Sequence, residues 1–257
     1  MAVHDATSQR LFVETGLSAG QDIACTAEQS NYLKNVLRMR AGDAVLVFNG
    51  HDGEWRTTLA EIGKRGVSLH VETQTRTQTS GPDIDYIFAP LKRARLDYMV
   101  QKAAELGVAR LRPVLTRHTI AERVNGERMR ANAIEAAEQC GILHVPDVAE
   151  PVKFSTLLDQ WAPSRRLIFC DENATIADPI AALSAIAPGP LAVLVGPEGG
   201  FAPDERERLM AQPYVVSISL GPRVLRADTA AVAALTLVNA VLGDWRHSGP
   251  AAANTNL

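Results

Sequence analysis

From Ile84 onward, short apolar runs alternate with stretches of helical periodicity, and no other feature restricts the fold of this chain as much. "IDYIFAP" (Ile84–Pro90), "LRPVL" (Leu111–Leu115), "RLIFC" (Arg166–Cys170), "LAVLVG" (Leu191–Gly196) and "YVVSISL" (Tyr214–Leu220) read as buried strands. After the first of them, Leu96, Met99, Val100, Ala103 and Leu106 recur at helical spacing until Gly107 supplies a stop. Further helices are predicted over about Glu127–Cys140 and Arg226–Leu242. Such alternation predicts an α/β domain with a mostly parallel sheet, whose ligands bind beyond the carboxyl ends of its strands.

The N-terminal part has a different texture. Val45–Phe48, "WRTTLAEI" and "VSLHVE" are strand-like, and "NGHDGE" (Asn49–Glu54) has the composition of a hairpin loop. "AEQSNYLKNVLRM", from Ala27, is the one helical stretch there. "TQTRTQTSGPD" (Thr73–Asp83) is polar and ends in Gly-Pro, as linkers do. We therefore expect a β-rich unit over residues 1–75, a linker over 76–83, an α/β domain over 84–245, and a small polar tail over 246–257 that lacks structure.

Composition narrows the partners. A net charge of −3 excludes a uniformly basic coat, yet between Lys92 and Arg130 ten Lys/Arg stand against four acids, as on a face that contacts phosphate. The equally ordinary reading is a solvated helical surface. No run of eighteen apolar residues and no signal-peptide pattern occurs, so a cytoplasmic protein with no membrane association is expected. Cys25, Cys140 and Cys170 stand far apart, and the six histidines form no H-E-x-x-H, so no metal is expected.

Two loops carry the chemistry. "LVGPEGGFAPDE" (Leu194–Glu205) leaves a strand, breaks into glycines and re-enters a helix, the usual form of a phosphate cradle. It lacks the Lys-Ser/Thr of a P-loop and carries Glu198, with Asp204 and Glu205 behind, so a nucleoside triphosphate is excluded and a compact neutral or cationic ligand is expected. "LGPRVLRADTA" (Leu220–Ala230) repeats the strand, turn and helix. If the two preceding strands are neighbours, both loops enclose one ligand. The final helix shows Ala231, Val232, Ala234, Leu235, Leu237, Val238 and Val241, more apolar circumference than one sheet face covers.

These two loops, with "RLDYMVQKAAELGV" (Arg95–Val108) and "EQCGILHVP" (Glu138–Pro146), resemble the signature segments of the ribosomal RNA uridine-N3 methyltransferases, the RsmE family of the knotted SPOUT class. "QRLFV" and "NYLKNVLRMRAGD" are similar to that family's PUA-like, RNA-binding N-terminal barrel, so the resemblance spans nearly the whole chain. It implies an S-adenosylmethionine-binding SPOUT domain with a trefoil knot and a homodimer packed through it. The implied activity is methylation of N3 of the uridine at position 1498 in 16S ribosomal RNA of the small subunit. The resemblance places the cofactor against Leu194, Gly196, Glu198, Gly199, Gly200, Leu220, Gly221, Val224, Leu225, Thr229 and Ala230, and RNA against Arg10, Arg38, Lys92 and Arg95. Asp228 stands where the family pattern has Glu, and His118 where a serine is usual.

Methylation at N3 requires the uracil proton to leave. Glu198 and Asp228 are candidate bases, while Arg223 or Arg226 can stabilise developing charge or hold phosphate. Arg226 and Asp228 have an alternative as caps of the last helix. A ribose 2′-O-methyltransferase and a non-catalytic RNA-binding dimer remain the competing functions.

Overall fold

In the computed structural model, which describes residues 9–63, 66–120, 123–174 and 178–246, every apolar run named above contains a strand or lies within one. The tail expectation, apart from residue 246, falls outside the described residues. The chain divides into two units. One holds the described residues between Met1 and Ser80 together with Ala137–Val145, and the other holds Gly81–Ala136 and the described residues from Pro146.

The first unit is a curled five-stranded sheet built from β1 (Arg10–Phe12), β2 (Asp22–Ala24), β3 (Ala44–Phe48), β4 (Glu54–Gly63) and β5 (Gly66–Arg76), in the order β1-β3-β4-β5-β2. Pairing is antiparallel except between β1 and β3. Along β5, residues alternate between core and surface, so Val67, Leu69 and Val71 meet Val45, Val47 and Leu59 in one apolar cluster. The strand runs on into the polar stretch read as linker, because Trp55 and Glu54 of β4 pair with Gln74 and Arg76. Helix α1 (Ala27–Asn31) opens on a capping box between Thr26 and Gln29. The expected α-helix does not reach Met39: a π-helical turn follows over Tyr32–Val36, closed by Leu37 N donating to Tyr32 O at 2.9 Å. It ends at Val36, and Arg38, with φ of 56°, cannot continue a helix. Leu33 in that turn is fully buried.

A buried carboxylate, Glu54, organises this unit. It accepts from Arg10 Nε at 3.0 Å and from Arg76 Nη2 at 2.6 Å, and its side chain is 4% exposed. Arg10, expected to contact RNA, is thereby corrected: its side chain is 3% exposed, turned inward to neutralise Glu54. Arg76 also donates to Gly141 O at 2.9 Å, Gln78 to Leu143 O at 3.2 Å, and Phe12 N to Glu138 Oε1 at 2.8 Å. These bonds explain why Ala137–Val145 belongs with the first unit.

The second unit contains β6 (Ile84–Phe88), α2 (Arg93–Glu105), β7 (Arg110–Leu115), α3 (Gly126–Cys140) except its last four residues, β8 (Asp147–Val148), β9 (Val152–Lys153), α4 (Phe154–Asp159), β10 (Arg166–Cys170), α5 (Pro179–Ser184), β11 (Leu191–Val195), α6 (Pro203–Met210), β12 (Val215–Ile218) and α7 (Ala227–Val241). Its sheet runs β12-β10-β11-β6-β7-β8, with β9 also on β7, and every pairing is parallel. The strands that precede the two glycine loops, β11 and β12, are therefore not neighbours. β10 lies between them, and its own exit loop enters the site. Helix α7 buries Leu235 and Val238 completely within its own chain, and Asn239 Nδ2 donates to Leu106 O at 2.8 Å, tying α7 to the end of α2. No helix among the described residues is long and apolar enough to cross a membrane.

Glu54→Gln leaves two guanidinium groups facing a neutral amide, and denaturant unfolding is expected to show a loss of about 3 kcal/mol. Burial raises the Glu54 carboxyl, but the bonds from Arg76, Thr75 and Arg10 hold it below its ordinary 4.5. The stability it contributes is complete above that value and is lost as pH falls through the lowered folded value. Melting curves of Glu54→Gln should lack that part of the acid-side decline.

Candidate active site

At the carboxyl edge of the parallel sheet three exit loops enclose a cavity of about 540 Å³. Its walls are Phe169–Ala174 at the end of β10, Val195–Glu198 with Gly200 and Phe201 at the end of β11, and Ser219–Ala227 with Ala230 after β12; Arg95 of α2 and Arg206 of α6 complete them. Of the residues singled out from sequence, the structure brings together Gly196, Glu198, Gly200, Leu220, Gly221, Arg223, Val224, Leu225, Arg226, Ala230 and Arg95. The others stand elsewhere. Leu194 is fully buried in the core on the opposite side of β11 from Val195, as strand alternation dictates. Asp228 and Thr229 lie in the first turn of α7, where Thr229 N donates to Asp228 Oδ1 at 2.9 Å. Lys92 is the exposed N-cap residue of α2, and Arg38 is exposed in the first unit.

The glycines have separate reasons. A Cβ on Gly196 would lie 2.6 Å from the Phe201 ring, so this glycine lets the loop fold back on itself. Gly200 has φ of 67°, and a Cβ there would meet Glu172 Oε1 at 2.7 Å. Gly221 has φ of 98° with nothing within 4 Å of the Cβ position, so its backbone faces open cavity. Gly199 has neither feature. Its Cβ position is 3.4 Å from His118 Cβ, and its carbonyl accepts from His118 Nδ1 at 3.1 Å.

Gly200 N donates to Pro197 O at 2.9 Å, closing a turn with Glu198 at its second position. Glu198 is ion-paired with Arg95, both about two-fifths exposed at the cavity wall. Deeper in, Asp171 is 4% exposed and accepts from Arg206 Nε and Nη2, the latter at 2.6 Å, and from Asn173 N at 3.0 Å. The bond to Asp171 holds the Arg206 guanidinium above its ordinary range. Desolvation pushes the Cys170 thiol up to about 12, so it lines the cavity as a neutral group. Arg223 and Arg226 are exposed at the rim, and Val224 between them is 87% exposed.

Residues 79–239 match the RNA methyltransferase domain, and residues 26–72 match the RNA methyltransferase PUA domain. The chain belongs to the RNA methyltransferase family. Ribosomal RNA small subunit methyltransferase E of Rickettsia conorii is 29% identical to it over 231 residues, 89% of this chain and 94% of the relative. The protein of the same name from Bacillus subtilis is 29% identical, with 90% and 96% covered. Among solved structures, ribosomal RNA small subunit methyltransferase E of Neisseria gonorrhoeae bound to S-adenosyl methionine superposes with a TM-score of 0.83 at 27% identity, covering 93% of this chain and 99% of that one. A Legionella pneumophila methyltransferase in complex with bound SAM gives 0.80 at 27% identity, with 92% and 99% covered.

Asp171, Glu172 and Arg206 of this methyltransferase were not singled out from sequence. The available signal was position: Asp171 follows "RLIFC" as Gly196 follows "LAVLV", at the carboxyl end of a buried run. The two adjacent glycines should separate on mutation. Gly200→Ala is expected to cost roughly 1–2 kcal/mol for its left-handed backbone, whereas Gly199→Ala should stay within about 0.5 kcal/mol of wild type; denaturant unfolding of both variants checks this.

Proposed function

We propose that this methyltransferase acts on the small-subunit ribosomal RNA, transferring a methyl group from S-adenosylmethionine to N3 of a uridine, the one at position 1498. The observation that carries the cofactor assignment is the cavity itself. About 540 Å³ suits a small molecule of nucleoside-plus-amino-acid size, and the walls offer glycine backbone and the carboxylates Glu172 and Glu198 in place of a phosphate-binding lysine. These residues fit the group. Gly196, Gly200, Leu220, Gly221 and Leu225 would receive its adenosine through backbone groups, with Phe169, Val195 and Ala230 as apolar wall. When bound, the cofactor supplies an electrophilic methyl carbon.

Within this reading Glu198 accepts the N3 proton. It lies on the cavity wall and Arg95 orients its carboxylate, whereas Asp228 is absent from the wall and serves the first turn of α7, favourable for an acid near a helix N-terminus. Arg223 and Arg226, exposed at the rim, are placed to hold phosphate or to stabilise negative charge on the deprotonated base. The target uracil must leave its stack to present N3. The remaining candidate RNA contacts are Arg38 and Lys92, both exposed. A cytoplasmic location follows from a ribosomal substrate. The trefoil knot belongs to this reading too, as part of what the resemblance implies.

Calorimetric titration should show S-adenosylmethionine binding to wild type and none to Gly221→Val, whose β-branched side chain cannot adopt a φ near 98°. Glu198→Gln should lose about a hundredfold in kcat at saturating cofactor, beyond any loss of cofactor affinity. Nucleoside mass spectrometry of 16S ribosomal RNA from a deletion strain should show loss of N3-methyluridine; loss of a 2′-O-methyl nucleoside instead would establish the ribose enzyme, and no titration signal would favour the non-catalytic binder.

The reading includes a homodimer. Because Leu235 and Val238 are buried by their own chain, the surface left for a partner on α7 is the half-buried row Val232, Ala233, Thr236 and Leu237, with exposed Ala240. Light scattering should give a dimer for wild type and a monomer for a Val232→Asp, Leu237→Asp double variant. A wild-type monomer at micromolar concentration would refute the dimer.

A further inference from the structure

The turn that carries Glu198 is held from outside the cavity by a segment that contributes nothing to its walls. After β7 the chain makes a self-braced turn, in which Thr116 N donates to Thr119 Oγ1 at 2.8 Å and Thr119 N to Thr116 O at 3.2 Å. From this turn His118 Nδ1 reaches Gly199 O at 3.1 Å and Gly200 O at 3.0 Å. A carbonyl only accepts, so Nδ1 carries the hydrogen and bridges two successive carbonyls. Arg117 adds two contacts: its backbone N donates to Glu205 Oε1 at 2.9 Å and its Nη2 to Asp204 Oδ2 at 2.7 Å. Glu205 Oε2 also accepts from Ala202 N at 3.1 Å, closing the first turn of α6.

We propose that His118 is a positioning residue for the cofactor pocket. It fixes the last two carbonyls of the Pro197–Gly200 turn, and thereby the inner face on which Gly196, Glu198 and Gly200 meet the ligand. Gly200, with φ of 67°, and Gly199, with no side chain, leave this turn two adjacent positions of wide conformational freedom. A turn with two adjacent glycines loses order unless its carbonyls are held, and His118 is the side chain that holds both. Arg117, with Asp204 about three-fifths exposed beside it, adds a solvated pair of small energy.

The inference rests on the cavity being the S-adenosylmethionine site, and the test separates the two. Cofactor affinity is measured by calorimetric titration, alongside melting temperature, for wild type, His118→Ala, His118→Leu and His118→Asn. Losing the donor should raise the dissociation constant about three- to tenfold in the Ala and Leu variants at unchanged melting temperature. The Asn variant, whose side-chain amide places a donor near the position of Nδ1, should recover most of the affinity. A merely structural histidine would not be rescued in this pattern. Wild-type affinity in the Ala and Leu variants, an Asn variant as weak as Ala, or unfolding of both donorless variants each overturns the positioning role while leaving the cofactor site standing. If wild type itself binds no S-adenosylmethionine, the assignment of the cavity fails and this role fails with it.

Discussion

The site depends on where β11 lies. Leu191–Val195 are hydrogen-bonded on both sides, to β10 and to β6, and none of the five is more than 4% exposed. A strand so enclosed has no freedom to slide, since a one-residue shift would turn Leu194 out of the core and Val195 into it. The exit point of the chain at Gly196 is thereby fixed. The loop is then anchored a second time six residues after Val195, where the Phe201 ring packs between Phe154 and Phe169 with centroids 5.3 Å from each. Between these anchors the chain must turn back sharply, which Gly196 permits by leaving room for that ring. Glu198 projects from the one part of the loop that neither anchor absorbs.

The two ends of the parallel sheet use buried carboxylates for different ends. At the amino edge Asp85, 1% exposed, is surrounded by Arg110, Arg112 and Arg165, with Arg112 Nη1 at 3.0 Å. Arg110 starts β7, Arg112 is its third residue and Arg165 immediately precedes β10, so the cluster ties the starts of β6, β7 and β10 together and contributes nothing to the walls of the cavity at the other edge. At the carboxyl edge Asp171 is held by a single arginine, Arg206, which comes from α6 and therefore from beyond the glycine loop. That pair spans the loop it encloses. Removing Arg206 would leave the buried Asp171 carboxylate without its cation and also release one wall of the cavity.

The strand and helix pattern of the second unit was legible because burial on both faces forces continuous apolar runs, and the two glycine loops were legible because turns need residues of special backbone freedom. The order β10 between β11 and β12 was not, since local sequence carries no record of which strands pair across a sheet. For the same reason Asp171 and Glu172 went unremarked: an acid after an apolar run is ordinary until its strand is known to be central. Arg10 failed in the opposite sense. The resemblance assigned this arginine to RNA, and only the fold shows Glu54 waiting behind it, forty-four residues along the chain. Gly199 was singled out with the other glycines of its loop and by the resemblance, although its neighbour Gly200 bears the backbone strain.

Parallel connectivity also decides the electrostatics of the cavity. Each helix that follows a strand of this sheet begins at the carboxyl edge, so α2, α6 and α7 all start where the loops meet, and their unsatisfied N–H groups give that edge a partial positive charge. Glu205 spends its carboxylate on α6, and Asp228 stands in the first turn of α7, so both acids are used up by helix starts. Glu172 and Glu198 belong to no helix and are left to the cavity. The wall that results is acidic where the loops turn and basic at the rim, through Arg223 and Arg226. A ligand with a cationic centre and a polyanionic substrate can then be held at one edge of one sheet without competing for the same charges.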